Sequence, residues 1–126
     1  MDCPCCSNKS FKSCCGRFLD EGASPKTPEQ LMRSRYSAYA IGGYGDYLVQ
    51  SWHHTSRKHL NPDDLSKKTT QWQRLEIIDK SQRGNQGEVE FKAYFIDQDG
   101  ISLYLHERSE FVREGGQWFY VNGTIY

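Results

Sequence analysis

Apolar positions are sparse and aperiodic over the first 22 residues, fall at helical spacing from Thr27, and alternate from Trp72 to the end. Thr27-Pro28-Glu29-Gln30 supplies a capping hydroxyl, a proline at the first helical position and Gln three residues after the cap. Together these predict a helix over about 28–41, stopped by Gly42-Gly43. On it Leu31, Met32, Arg35, Tyr36, Tyr39 and Ala40 share one side, whereas Arg33 and Ser37 point elsewhere. A second helix over about 44–54 gathers Tyr44, Tyr47, Leu48 and Ser51 on one face with Trp52 at its edge. Asn61-Pro62-Asp63-Asp64-Leu65 starts a short third helix, with Asn61 as cap and acids in its first turn.

The alternating half reads as four strands, about 72–81, 87–96, 101–113 and 117–125. The connections at Arg83–Gly87, Asp97–Gly100 and Glu114–Gly116 each contain glycine and have hairpin length. Helices followed by an antiparallel meander define an α+β domain with helices on one face of the sheet. In the third strand Ile101, Leu103, Leu105, Glu107, Ser109 and Phe111 share a face, so Glu107 interrupts an apolar row as Arg35 does on the helix. An unpaired buried charge is costly, so Arg35 and Glu107 are expected to meet across the helix–sheet interface.

Composition narrows the function. Sixteen basic and sixteen acidic side chains leave no net charge, which argues against nucleic acid or an anionic membrane as the main partner. Three Trp, eight Tyr and six Phe supply a folded core in a chain of one-domain length. No basic segment followed by an apolar run opens the chain, and no apolar stretch nears the roughly 18 residues of a membrane span, so a cytoplasmic location is expected. All five cysteines, Cys3, Cys5, Cys6, Cys14 and Cys15, fall within the first 15 residues. An odd, crowded set fits a metal site better than a disulfide framework or a redox pair. Cys3 with Cys5 and Cys14 with Cys15 form two tight pairs across a short loop, the four soft ligands a tetrahedral zinc ion takes. Lys9, Lys12 and Arg17 would offset part of the charge of such a centre, and metal binding would be the main folding energy of so short an arm. Cys6 is surplus: it either substitutes for a neighbour or stays free.

The stretch Cys3-Pro4-Cys5-Cys6-Ser7-Asn8-Lys9-Ser10-Phe11-Lys12-Ser13-Cys14-Cys15-Gly16 resembles a SEC-C motif, the metal-binding module at the end of the bacterial secretion ATPase. It departs at Cys6, where the motif usually has Gly. The remainder resembles the YchJ family of bacterial proteins, in which a SEC-C motif precedes a nuclear transport factor 2-like (cystatin-like) domain. The matching stretches are Leu31 to Tyr39, Asp46-Tyr47-Leu48 with Trp52-His53, Glu107 to Phe111, and Gly116 to Gly123. Residues 23–26 read as a short linker, and the resemblance implies a zinc knuckle at 1–22 with one zinc ion and, over 27–126, a cone of helices packed on a curved antiparallel sheet. Many relatives carry a second SEC-C motif at the C-terminus, whereas this chain stops at Tyr126.

Two functional readings follow. In the SEC-C modules of the secretion ATPase the knuckle is implicated in contacts with a chaperone, ribosome and lipid, so the resemblance implies a protein-docking or adaptor role, with Lys9, Lys12 and Arg17 as polar contacts. The alternative is small-molecule binding or catalysis in the cone, in a pocket formed by Arg35, Tyr36, Trp52, His53, Glu107 and Trp118, with Glu107 as general base or Arg35 holding an anion. The tryptophans serve a core as readily as a ligand mouth. His53, His54, His59 and His106 show no carboxylate at a recognised metal spacing, and no P-loop, dinucleotide fingerprint or Ser-His-Asp order appears. Binding is favoured over catalysis, and an open sheet face allows a homodimer.

Overall fold

The computed structural model describes all 126 residues. In chain order the elements are α1 (Gly16–Leu19), α2 (Pro28–Ile41), α3 (Gly45–Ser51), α4 (Pro62–Ser66), β1 (Gln71–Arg83), β2 (Gln86–Ile96), β3 (Ser102–Glu114) and β4 (Gln117–Ile125). α2 starts as its capping residues dictate: Thr27 Oγ1 accepts from Gln30 N at 3.1 Å, and Gln30 Oε1 accepts in return from Lys26 N at 2.8 Å. It ends at Gly42, whose N–H donates to Ala38 O. α4 is capped as expected, Asn61 Oδ1 accepting from the backbone of Asp63 and Asp64. α3 is shorter than its pattern predicts. Trp52 turns extended (φ −77°, ψ 142°) and forms a parallel bridge to Tyr120, so residues 52–54 leave the helix to run beside β4.

The sheet is an antiparallel meander in the order β1-β2-β3-β4. Its inner face carries Leu75, Val89, Phe91, Ala93, Phe111 and Trp118, which pack on Leu31, Met32 and Tyr36 of α2. Its outer face is polar, as alternation requires: His106 Nε2 lies 2.7 Å from Glu90 Oε2, and Arg108 reaches Glu90 and Asp79 at 3.0 and 3.1 Å. The face predicted for the third strand is correct at Glu107, Ser109 and Phe111, but Ile101 and Leu103 run past the helices and are exposed. A bulge between Glu110 and Phe111 skips Val121, so Tyr120 comes opposite Phe111 and Gly123 opposite Ser109.

One feature of α2 departs from a one-sided amphipathic helix. Ser34, Ser37 and Ala38 are fully buried although they lie off the stripe that meets the sheet. Small side chains let a second layer approach closely there, and that layer is the N-terminal knuckle together with α3. The knuckle cysteines belong to the same packed cluster as Leu31, Met32 and Tyr36. The segment at 23–26 is likewise tied down, with Trp118 Nε1 donating to Lys26 O at 3.2 Å and Gln117 Nε2 to Ser24 Oγ at 3.4 Å. No helix is long and apolar enough to cross a membrane.

Candidate metal centre and the buried charges

The knuckle is closed by backbone hydrogen bonds that bring its two cysteine pairs together. Cys3 N donates to Lys9 O at 2.9 Å and Phe11 N to Met1 O at 2.9 Å, pairing the two sides of the loop. The turn between them puts Cys6 and Asn8 in the left-handed region, each at φ 66°. Phe11 O then accepts from both Cys14 N (3.0 Å) and Gly16 N (2.8 Å), which folds the second pair back over the first. A Cβ at Gly16 would come within 2.7 Å of that same carbonyl, so this close return admits only glycine.

The outcome is four buried sulfurs, of Cys3, Cys5, Cys14 and Cys15, all within 4.8 Å of one another. Metal–sulfur bonds of about 2.3 Å set tetrahedron edges of about 3.8 Å. The Cys5–Cys14 and Cys14–Cys15 separations, 3.6 and 4.0 Å, bracket that edge. Four thiol donors at this spacing can hold one metal ion and leave no coordination position open.

The electrostatics point the same way. A hydrogen bond from Cys15 holds Cys3 far below the usual thiol range, whereas Cys15, bound to that sulfur and buried, is pushed far above it. Thiols packed this closely do not all ionise unaided, because each thiolate repels the next, and a bound cation would remove that repulsion. Around the sulfurs, Ser7 Oγ donates to Cys14 Sγ at 3.2 Å and the Ser37 hydroxyl lies 3.6 Å from Cys3 Sγ. Of the cations expected nearby, Lys9 and Lys12 are exposed, and Arg17 is spent on Cys14 O at 2.9 Å and on the Phe18 ring. A second arginine reaches the knuckle from α2: Arg33 Nη1 donates to Cys5 O at 2.6 Å. Arg33 and Ser37 lie four residues apart, so the side of α2 off the apolar stripe is the one facing the cysteine cluster. Cys6 stays outside the cluster: its exposed sulfur accepts a hydrogen bond from Leu75 N, on the edge of β1, at 3.4 Å.

Arg35 and Glu107 are both interior, 5% and 9% exposed, but they do not form the expected ion pair. Tyr120 stands between them. Its ring lies against the Arg35 guanidinium, 4.7 Å from centroid to Cζ, and its hydroxyl donates to Glu107 Oε2 at 3.2 Å. Arg35 Nη1 donates to Leu48 O and Ser51 Oγ, and the guanidinium also lies over Trp52. Glu107 takes its second hydrogen bond from Ser109 Oγ. Burial draws the Arg35 pKa down and pushes the Tyr120 hydroxyl up, the latter helped by Glu107. Room for the carboxylate comes from Gly123, where any Cβ would collide with it.

Of the six residues expected to form a pocket, Arg35, Trp52, His53 and Glu107 each contact Tyr120, which occupies the space between the two charges. Tyr36 packs edge-on against Trp72 in the core. Trp52 contacts Arg35 and Tyr120, and its indole Nε1 is buried without a partner. His53 is held by Tyr120 O, which accepts from its N–H at 2.7 Å, and its ring faces Phe119. Trp118 lines a hollow of about 180 Å³ with Phe18, Tyr47, Ser51 and Phe119, which does not include Arg35 or Glu107. A larger hollow, about 550 Å³, lies at the far hairpin ends and is mostly polar, with Arg83, Glu88 and Glu110 in its wall.

Residues 27–123 match the family model described as YchJ, middle NTF2-like domain. A UPF0225 protein of Vibrio parahaemolyticus is 41% identical over 127 residues, covering 98% of this chain and 74% of its own. One from Chromobacterium violaceum is also 41% identical, covering 98% of this chain and 92% of its own. The solution structure of a SEC-C motif containing protein from Rhodopseudomonas palustris superposes with a TM-score of 0.90 at 34% identity, over 100% of this chain and 99% of that one. The chain belongs to the YchJ family, with a SEC-C motif ahead of a nuclear transport factor 2-like domain.

Proposed function

We propose that this YchJ-family protein docks to another protein through its knuckle, and that one zinc ion held by Cys3, Cys5, Cys14 and Cys15 fixes the docking surface. The observation that carries the reading is how residues 1–16 are divided: all four ligands are buried, while Asn8, Lys9, Ser10, Lys12 and Ser13 face solvent. A closed four-thiolate set suits a structural zinc rather than a catalytic one, which keeps a position open. The other side of the knuckle is bonded to α2 through Arg33, so the polar loop is presented on a fixed support. Thiols that must stay reduced to bind metal fit a cytoplasmic setting. A ligand role for the cone has less support, because Tyr120 fills the space between its two interior charges.

The test is recovery of a protein partner by three forms of the full chain: unaltered, Lys9→Glu with Lys12→Glu, and Cys14→Ser with Cys15→Ser. Native mass spectrometry of each gives the metal. One zinc in the first two forms, with the partner recovered by the first alone, supports the reading. Equal recovery by all three overturns the docking role, and a folded, metal-free unaltered chain overturns the zinc assignment.

A further inference from the structure

A second group of metal-ligating side chains lies at the other end of α3, well separated in sequence from the cysteines. The extended exit from that helix runs beside β4, and Glu114 ends β3 just before the Gly115-Gly116 turn, so His53 and Glu114 meet although 61 residues apart. His53 Nε2 lies 2.9 Å from Glu114 Oε2, and His54 Nε2 lies 3.7 Å from Oε1 of the same carboxylate. The two imidazoles are 4.2 Å apart, and donor atoms of all three residues lie within 4.8 Å of one another.

We infer that His53, His54 and Glu114 form a second metal site, one that binds a divalent transition-metal ion through two imidazoles and a carboxylate. Metal–nitrogen and metal–oxygen bonds of about 2.1 Å place neighbouring donors about 3.4 Å apart in a tetrahedron. His53 Nε2 and Glu114 Oε2, now at the hydrogen-bond distance of 2.9 Å, must part by about 0.5 Å, and His54, 3.7 Å from the other carboxylate oxygen, must turn to share the ion. That movement falls on the side chains free to make it: His54 is 65% and Glu114 53% exposed. His53 is the fixed member. Its ring is buried, its backbone is bonded to β4, and its Nδ1 lies 2.6 Å from Thr55 Oγ1. Nε2–H faces the Glu114 carboxylate and Nδ1 accepts from Thr55 N at 3.4 Å; an ion on Nε2 moves that proton to Nδ1, which then donates to the Thr55 hydroxyl, the usual second partner of a metal-bound histidine.

The donor set separates this site from the knuckle. Imidazole and carboxylate suit zinc and the other late first-row divalent ions, whereas four thiolates select softer binding. Three protein donors also leave at least one position open to solvent on an exposed surface, where the cysteine site has none. The inference does not rest on the docking role.

The experiment uses the full chain with its cysteine site saturated by one equivalent of zinc. Further Zn²⁺ is titrated by calorimetry with native mass spectrometry of the products, and Co²⁺ is added separately for its visible spectrum. The site predicts a second ion per chain, with Co²⁺ bands lacking thiolate charge transfer. His54→Ala and Glu114→Gln, both at exposed positions, should each weaken the second ion at least about tenfold while the first remains. One ion per chain throughout, or a second ion bound equally by both variants, overturns the site.

Discussion

This chain buries two sets of groups that carry charge, and it treats them in opposite ways. The four cysteines are packed with each other, with hydroxyls and two backbone-directed arginines nearby, so no side-chain cation contacts the sulfurs themselves. Arg35 and Glu107 lie as deep, yet each is saturated by neighbours, with Tyr120 serving both. The first set can hold a metal ion, and the second is complete as it stands. Buried polar groups mark a binding site only where the protein leaves their valence open; elsewhere they fix packing.

That contrast can be broken in four places. Withdrawal of the metal by a strong chelator should have the largest effect, because apparent zinc free energies in isolated knuckles are on the order of 10 kcal/mol. Amide chemical shifts of residues 2–19 should collapse toward unfolded values while the β2–β3 ladder keeps its exchange protection. A knuckle that stays dispersed without metal would remove the distinction between the two sets. Next, Arg35→Met should lower stability by about 1–3 kcal/mol in denaturant melts, through the hydrogen bonds lost at Leu48 O and Ser51 Oγ, and leave metal stoichiometry unchanged.

Cys6→Gly should stabilise the metal-bound protein by about 1 kcal/mol, because a left-handed residue with a Cβ is strained and glycine is not. Loss of the metal in that variant would instead make Cys6 a ligand. The smallest effect is expected between Arg35 and Glu107. A double-mutant cycle of Arg35→Met with Glu107→Gln should give a coupling of about 0.5–1 kcal/mol, carried through the Tyr120 they share rather than by direct contact. A coupling of about 2 kcal/mol or more would restore the direct ion pair.

Features fixed by local chemistry were legible in the sequence. The cysteine spacing, the Thr27 and Asn61 caps, the stop at Gly42 and the four strands with their glycine turns all depend on residues close together in the chain. The interior charges were legible too, since Arg35 and Glu107 each break an apolar row. Their failure to pair was not. It depends on Tyr120, which a bulge in β4 sets opposite Phe111, and alternation alone does not reveal a skipped residue. Arg33 and Ser37 were set aside because a helix facing one sheet needs one stripe; α2 faces two layers, and the second is the knuckle itself. Glu114 was missed for a related reason. Nothing near His53 in the chain signals it, and only the parallel bridge from Trp52 to Tyr120 brings them together.

The hydrogen bond from Leu75 to Cys6 reaches beyond the knuckle. β1 is an outer strand, paired on one side only, and Leu75 lies in its middle. An uncovered strand of this kind is a template on which another chain can add. Seated there, the Cys6 turn takes up the Leu75 N–H, one of the outward-facing donors an added strand would need.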